Sequence, residues 1–180
     1  TTQEREQIVG HPNVLRILQI FQLCDYRVGP ALPPTSQFLA SSRARLLAVG
    51  SRNWLKLFAL SGPLAYQILD VALGRACRIR SLLDQRELVV EEQAATQQLL
   101  PGSALFARVM SNGRGALCFE GLLPMPGTPR QLRLKILHHW RSAGLKSLDP
   151  PHQIAFGKCL TPLMVEHWAQ LATHHSRMEK

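Results

Sequence analysis

Carboxylate side chains are scarce in this chain, and the sequence patterns of the common catalytic sites are missing. Twelve Asp and Glu residues stand against 21 Lys and Arg residues in a chain of 180. Glu91 and Glu92 are adjacent, so in a strand they point to opposite faces of a sheet and cannot share acid–base work. The sequence contains no GxSxG, GxxxxGK or GxGxxG pattern and no carboxylate cluster for a metal-dependent nuclease. We therefore expect a protein that is not an enzyme.

Metal-binding and disulfide patterns are missing as well. The four cysteines lie far apart and form no CxxC pair: Cys24, Cys77, Cys118 and Cys159. Such spacing fits neither a zinc ribbon nor a dense disulfide scaffold. His138 and His139 are adjacent and diverge on a helix, while His167 and His174 share a face but belong to no HExxH motif. We expect no metal and no other cofactor, and we interpret the cysteines as small buried thiols of a reducing compartment.

Long apolar runs do not occur. No stretch approaches the roughly 18–20 uninterrupted apolar residues of a membrane span. The first residues, TTQEREQ, are polar and charged, unlike a secretory signal. These features predict a cytoplasmic protein with no membrane span.

Positive charge is what the sequence has in excess, and two stretches hold it. The net charge is +9. Between Arg43 and Arg80 there are seven Lys or Arg residues and a single acid, Asp70; between Arg130 and Lys146 there are five cations and no acid. The two stretches together carry +11, and the remaining residues carry −2. This asymmetry predicts a polyanionic or acidic partner.

Hydrophobic periodicity predicts helices near both ends of the chain. Apolar residues follow helical spacing after Pro12, and a second helix is predicted from Thr35 or Ser36 to Val49. RNWLKLFAL, residues 52–60, fits a short helix or a strand. A cap at Thr128, followed by proline and by Gln131, predicts a helix that ends near residue 142. SLDPPHQ reads as a loop, and Thr161-Pro162 repeats the cap signal for a last helix to about His175.

Short strands separated by turns are predicted between residues 64 and 123. Asn112-Gly113 supplies the positive φ angles of a tight hairpin. RACRIRSLL alternates, so Cys77 and Ile79 share one face of a strand while Arg78 and Arg80 share the other. The predicted fold is α+β, with N- and C-terminal helices flanking a small antiparallel sheet or partly closed β-barrel. We divide it into an N-terminal helical region (1–62), a β-module (63–126) and C-terminal helices packed on the same core (127–180).

Nucleic-acid binding is the function that the charge pattern favours. Arg78 and Arg80 lie about 6–7 Å apart on one strand face, which matches neighbouring phosphates. Trp54 and Phe58 interleave with cations near one side of a helix, if that helix passes Gly50, and offer stacking surfaces for bases. No aromatic RNA-recognition signature, GXXG loop or zinc finger is present. The predicted contacts to single-stranded or structured RNA or DNA are Arg45, Arg52, Lys56, Arg75, Arg78, Arg80, Arg108, Arg114, Arg130, Arg133, Lys135, Arg141 and Lys146.

A second function remains open beside the first. The gap between the helices at 129–142 and 162–176 is too long for a helix-turn-helix motif. The chain also fits an assembly or adaptor subunit of a larger protein or ribonucleoprotein complex that binds an acidic partner. Trp140 or Trp168 would then be exposed as an interface anchor.

One segment resembles a known group of sequences. Residues 66–125 are similar to a β-rich segment of uncharacterised bacterial proteins, some of which carry a zinc motif like that of the SecA C-terminus. The matching pieces are Leu82-Leu83-Asp84, Val90-Glu91-Glu92 and the run from Pro101-Gly102 to Val109. The cysteine-rich zinc motif is absent here, so the resemblance implies a bacterial origin and no metal function or activity.

Overall fold

The structure is a computed structural model that describes residues 12–27, 30–111 and 116–178, with residues 171–178 as backbone only. Two helices and a short 3₁₀-helix precede a third helix, five strands follow, and two further helices end the described chain. The helices are α1 (Pro12–Cys24), α2 (Pro34–Ala40), the 3₁₀-helix Ser42–Leu46, α3 (Val49–Leu60), α4 (Pro129–Ser142) and α5 (Pro150–Met178). The strands are β1 (Leu64–Ala72), β2 (Ala76–Ser81), β3 (Glu87–Glu91), β4 (Ala104–Ser111) and β5 (Leu117–Met125).

The five strands close into a barrel in the order β1-β2-β3-β5-β4. β1 pairs antiparallel with both β2 and β4, and β4 pairs antiparallel with β5. The barrel closes on its other side through a parallel contact between Val90 of β3 and Leu117 of β5. An irregularity between Ile68 and Asp70 interrupts the β1–β2 register, and such bulges let one long strand bend between two partners. The α+β prediction with a small barrel is confirmed, and the barrel is closed and mixed.

Alternating side chains fill the barrel interior. Ile68, Ile79, Val90 and Leu105 are at most 1% exposed and pack together inside it. Leu99 is buried in the same cluster from the connection between β3 and β4. A single 3₁₀ turn, Ala95–Gln97, shapes that connection.

Helices cover the barrel over β1, β4 and β5. In α4 the buried residues Leu132, Ile136 and Trp140 recur every four positions, which places them on one helix face. They join Val14 of α1 and Phe106 of β4 in a second core cluster. Other members of that cluster are Ile17, Ala65, Ala104, Leu123, Met125, Phe156, Leu160 and Met164. β4 is therefore buried on both faces, which explains its nearly continuous apolar run.

Two glycines let α5 cross the junction between α3 and β1 at short range. A Cβ on Gly157 would lie 2.2 Å from the Pro63 carbonyl oxygen, and one on Gly62 would lie 2.6 Å from the Ile154 carbonyl oxygen. Both obstacles are backbone atoms, so a side chain at either glycine would push the two segments apart. The crossing fixes α5 over the end of α3.

Two of the helix predictions are wrong, and one segment that was left open is a helix. The segment expected to run as one helix to Val49 is divided into α2 and the 3₁₀-helix, and residues 52–60, left open between helix and strand, belong to α3. The last helix begins at Pro150 rather than at Thr161, because the Asp149 carboxylate accepts a hydrogen bond from the His152 N–H at 3.0 Å. Pro162 lies inside that helix. Within the described part of the chain, none of the helices is long and apolar enough to cross a membrane.

Candidate nucleic-acid interface

The outer face of β2 carries two predicted contacts in the predicted orientation. Cys77 and Ile79 point into the barrel, whereas Arg78 is exposed and Arg80 is partly exposed. Both arginines reach one carboxylate on the neighbouring strand. Arg80 Nη2 lies 2.7 Å from Glu87 Oε1, and Arg78 Nη1 lies 3.7 Å from Glu87 Oε2. The hydrogen bond from Arg80 holds the pKa of Glu87 below its ordinary value.

The second basic stretch meets the end of this strand. Arg133 Nε of α4 donates a hydrogen bond to the Leu82 carbonyl oxygen, one residue after β2, at 3.1 Å. Gln153 of α5 holds the same turn by donating to Asp84 Oδ2 at 3.1 Å. The two contacts fix α4 and α5 beside the turn between β2 and β3. Arg80, near the end of β2, and Arg133 of α4 therefore border one turn, although they lie about 50 residues apart in sequence.

Burial of one face of α4 leaves its cations outside. Arg130 and Arg141 are exposed, as is Lys146 beyond the end of the helix. Among the described residues, none of these three forms a salt bridge. These three cations thus present positive charge that no acid in the described part of the chain pairs with.

Lys135 of α4 is exposed and contacts α5. Its Nζ lies 2.9 Å from Nδ1 of His167. Burial and the neighbouring Lys135 charge both lower the pKa of His167. Lys135 and His167 line a groove between α4 and α5, together with His138 and His139. The volume of this groove is about 450 Å³.

The prediction for Arg108 is wrong. This residue is 2% exposed, and its guanidinium binds groups of three other residues. Nη2 forms a salt bridge with Asp25, while Nη1 donates to the carbonyl oxygens of Phe58 at 2.8 Å and Ser61 at 2.7 Å. Helices cover β4, so a side chain on its outer face is inside the protein. Arg108 has no access to a phosphate.

Arg45, Arg52 and Lys56 belong to a different surface. α3 includes Gly50, so Arg52 and Lys56 lie on one helix, but Arg45 lies on the preceding 3₁₀-helix. α3 packs against β4, whereas Arg78 and Arg80 lie on β2 and Arg130, Arg133, Lys135 and Arg141 lie on α4. The structure therefore divides the predicted residues into two groups.

The aromatic residues beside those cations are engaged with each other. The rings of Trp54 and Phe58 are half-buried and meet edge to face, with centroids 5.9 Å apart. The Arg108 guanidinium lies 5.8 Å from the centroid of the Phe58 ring. Phe58 is therefore part of the protein's own packing rather than a free stacking surface for a base.

Arg75 lies in the turn between β1 and β2 and is exposed. It lines an open groove of about 590 Å³ together with Gly74, Ala76, Glu91, Glu92 and Gln93. Arg114 and the predicted turn at Asn112-Gly113 lie outside the described residues. The groove extends the basic edge of β2 but also brings two acids to it.

The four cysteines differ in their exposure. Cys77 and Cys24 are buried as expected, whereas Cys118 is half-buried and Cys159 is exposed, so the prediction of four buried thiols is wrong for Cys159. Burial raises the pKa of Cys77 to about 11, which keeps it a thiol. Across the described ranges, no three His, Cys, Asp or Glu side chains are grouped to hold a metal ion.

Sequence reasoning missed the partners of the predicted arginines. Glu87 is the cross-strand neighbour of Arg80, a pairing that follows from the short turn between β2 and β3 once both strands are recognised. The contact of Arg133 with Leu82 has no signal in the sequence, because it depends on where α4 packs. In comparisons with known proteins, the chain matches no family model, no curated protein and no solved structure.

Proposed function

We propose that this protein is a non-catalytic, cytoplasmic nucleic-acid-binding protein that holds single-stranded or structured RNA or DNA on one basic surface. We call it the β2–α4 surface and define it by Arg75, Arg78, Arg80, Arg130, Arg133, Lys135, Arg141 and Lys146. The observation that carries the proposal is the hydrogen bond from Arg133 to the Leu82 carbonyl oxygen. Through this contact Arg133 of the second stretch lies beside the end of β2, which carries Arg80 of the first stretch.

The connectivity of the barrel supports this assignment. A closed five-strand barrel in the order β1-β2-β3-β5-β4, with a parallel β3–β5 contact, has the connectivity of OB-fold barrels. Such barrels bind oligonucleotides and oligosaccharides on the face of strands 2 and 3 and on the loops beside it. The likeness is one of connectivity, so it supports the location of the surface more strongly than its ligand.

The packing of the helices leaves this face open. α1 packs on β5, α3 on β4 and α4 beside β1. Arg78 of β2 and Val89 of β3 are exposed, Val89 by 61%. A strand of nucleic acid laid along β2 would meet Arg78 and Arg80 first and α4 next.

The chemistry of the surface suits phosphates better than bases. Arginine binds phosphate oxygens through paired N–H groups, and lysine does so as a point charge. Contacts to phosphates position a nucleic acid without reading its sequence. We therefore expect broad binding with little preference among sequences. Glu87 lowers the affinity, because phosphate must compete with its carboxylate for Arg78 and Arg80.

Fluorescence anisotropy with labelled single-stranded RNA, single-stranded DNA and an RNA hairpin at about 50 mM salt tests the proposal, since screening is modest there. We expect the wild-type chain to bind and Arg130→Glu/Arg141→Glu to weaken binding at least tenfold. The matched control is Arg43→Glu/Arg45→Glu, which makes the same charge change on the 3₁₀-helix. Absence of wild-type binding to all three probes, or equal loss in both double variants, would overturn the assignment.

The alternative function, an assembly subunit with an acidic partner, loses one of its two proposed tryptophan anchors. Trp140 is 5% exposed and packs edge to face on Phe156, with ring centroids 4.9 Å apart. Trp168 is half-buried against the same core.

A further inference from the structure

Three histidines and a lysine line the groove between α4 and α5, which we call the α4–α5 groove. His138 and His139 come from α4 and His167 comes from α5, where its Nδ1 lies 2.9 Å from Lys135 Nζ. The groove volume of about 450 Å³ falls within the roughly 300–1,000 Å³ that is common for ligand sites. Lys135 belongs to the β2–α4 surface, whereas the three imidazoles have no role in the function proposed above.

One of these histidines lies in a row with cations of the β2–α4 surface. Lys135, His138 and Arg141 follow one another at intervals of three residues along α4, and all three are exposed. Residues three apart on a helix are neighbours, with Cβ atoms roughly 5–6 Å apart. A phosphate chain that contacts both Lys135 and Arg141 therefore passes His138. The α4–α5 groove thus continues the β2–α4 surface.

The contact between Lys135 and His167 favours an anion in this groove. A lysine ammonium carries donors only, so Nδ1 of His167 accepts the hydrogen bond and the imidazole is neutral. Protonation of His167 adds a second positive charge beside the first, and two cations so close repel each other unless an anion lies between them. The ammonium also opposes a metal ion. Within the described ranges, no three His, Cys, Asp or Glu side chains are grouped to hold one.

We propose that the α4–α5 groove is a pH-dependent phosphate site of the β2–α4 surface, an inference that rests on the nucleic-acid function proposed above. Once His138 and His167 are protonated, their N–H groups and the Lys135 ammonium hold a phosphate of the bound nucleic acid. Histidine is the side chain that gains its charge between pH 8 and 5, whereas a phosphodiester is anionic throughout that range. Binding therefore tightens as the pH falls. The arginine contacts contribute equally at every pH, because arginine keeps its charge.

The charged groups that face these imidazoles come from both helices. On α4 they are Lys135 and His139, whose ring meets that of His138 edge to face with centroids 5.6 Å apart. On α5 the acid in the lining is Glu166, which is exposed. Glu166 competes with phosphate for the protonated imidazoles. With its three histidines charged, the groove carries four cations and this one acid, so its net charge favours a polyanion.

The test compares the affinity of the full chain for labelled single-stranded RNA and DNA at about pH 8 and about pH 5.5, on either side of the range in which histidine titrates. Fluorescence anisotropy is measured at about 50 mM salt, where screening is modest. We expect the wild-type chain to bind at both pH values and roughly tenfold more tightly at the lower one, because two imidazoles gain charge beside the phosphate. The slope of log affinity against log salt should steepen there by one to two contacts, about 0.7–1.4.

Histidine variants locate the pH dependence. His138→Gln/His167→Gln should bind as the wild type does at the higher pH and lose most of the gain at the lower pH. His138→Gln alone, at an exposed position that leaves the core untouched, should lose part of it. The matched control is His152→Gln, which should keep the full gain, because Nδ1 of His152 lies 2.5 Å from Asp149 Oδ1 and that acid neutralises its charge. In an NMR titration of the wild-type chain, bound nucleic acid should raise the pKa of His167, since a nearby phosphate favours the imidazolium.

The results that overturn the phosphate site differ from those that overturn the proposed function. Equal wild-type affinity at the two pH values, or a full gain in the double variant, would overturn the site and leave the β2–α4 surface standing. Bound nucleic acid that leaves the pKa of His167 unchanged would likewise show that no phosphate enters the groove. Absence of wild-type binding at both pH values would overturn the nucleic-acid function itself, and the site with it.

Discussion

Arginines on two barrel strands have opposite surroundings. On β2, Arg78 and Arg80 face solvent and share one exposed carboxylate, Glu87. On β4, Arg108 is 2% exposed and pairs with Asp25, whose side chain is 1% exposed. Both groups occupy outer faces of the same barrel. The difference arises because helices cover β4 and leave β2 open, so the role of a barrel arginine is decided by what packs over its strand.

The buried group also holds the helices together. Arg108 connects β4 with the end of α1 through Asp25 and with the end of α3 through the Phe58 and Ser61 carbonyls. Lys158 of α5 adds a second cation, because its Nζ donates to the Ala59 carbonyl at 2.6 Å and lies 3.7 Å from Asp25 Oδ1. Burial raises the pKa of Asp25, and the two cations oppose that rise. The cations Arg108 and Lys158 thus connect α1, α3, β4 and α5 around the buried Asp25.

The largest effect that we predict separates the two groups by stability. Arg108→Met leaves the Asp25 carboxylate buried with one distant cation, Lys158, and removes the hydrogen bonds that the Phe58 and Ser61 carbonyl oxygens accept from Arg108. Loss of one partner of a buried pair costs about 3–5 kcal/mol, measured here by urea unfolding. The matched change on the open strand, Arg78→Met, should alter the free energy of unfolding by less than about 1 kcal/mol. Similar losses of unfolding free energy in the two variants would contradict the distinction between the buried and the exposed arginine.

A smaller effect concerns the exposed arginines of β2, and it is measured as a change in nucleic-acid affinity. Glu87→Gln keeps the size of the side chain but removes the charge that neutralises Arg78 and Arg80. We expect nucleic acid to bind roughly fivefold more tightly at low salt, the order of effect of one unit charge near 4 Å in water. The free energy of unfolding should stay close to that of the wild type, because the pair is exposed. Weaker binding by this variant would show that Arg78 and Arg80 do not contact the ligand.

The smallest effect concerns the contact between α4 and α5. Burial and Lys135 lower the pKa of His167, so the unfolded chain takes up a proton at higher pH than the folded chain does. His167 therefore stabilises the fold above its ordinary pKa of about 6.5. That contribution is lost as the pH falls through the lower pKa that His167 has in the folded chain. Lys135→Gln should raise the pKa of His167 in an NMR titration without restoring it fully, because burial persists. A wild-type pKa at or above 6.5 would contradict the contact.

Local signals predicted much of the fold because the interactions behind them are local. Thr128 and Gln131 form the capping box that their spacing indicated, with Thr128 accepting from the Gln131 N–H and the Gln131 side chain accepting from the Thr128 N–H. The alternation in β2 likewise placed Arg78 and Arg80 outside. Both patterns depend on residues within one turn or one strand.

The remaining features depend on contacts between distant segments. Arg108 looked like a surface residue next to a hairpin turn, and only the covering helices bury it. The last helix continues through Pro162 because Leu160 and Met164 on either side are buried in the core, an influence that a cap signal does not contain. The division of the predicted cations between the β2–α4 surface and α3 follows from where α3 and α4 pack. A linear charge count cannot provide that placement.

The salt dependence of binding tests most directly whether the β2–α4 surface holds nucleic acid through its phosphates. Each phosphate contact that releases a counterion adds about 0.7 to the slope of log affinity against log salt for a single strand. Anisotropy titrations of a labelled single strand should give a linear slope for the wild-type chain. For Arg78→Glu/Arg80→Glu we expect weaker binding to every sequence and a slope that is smaller by one to two contacts, about 0.7–1.4. An unchanged slope in this variant, with the wild-type affinity retained, would contradict the proposed surface.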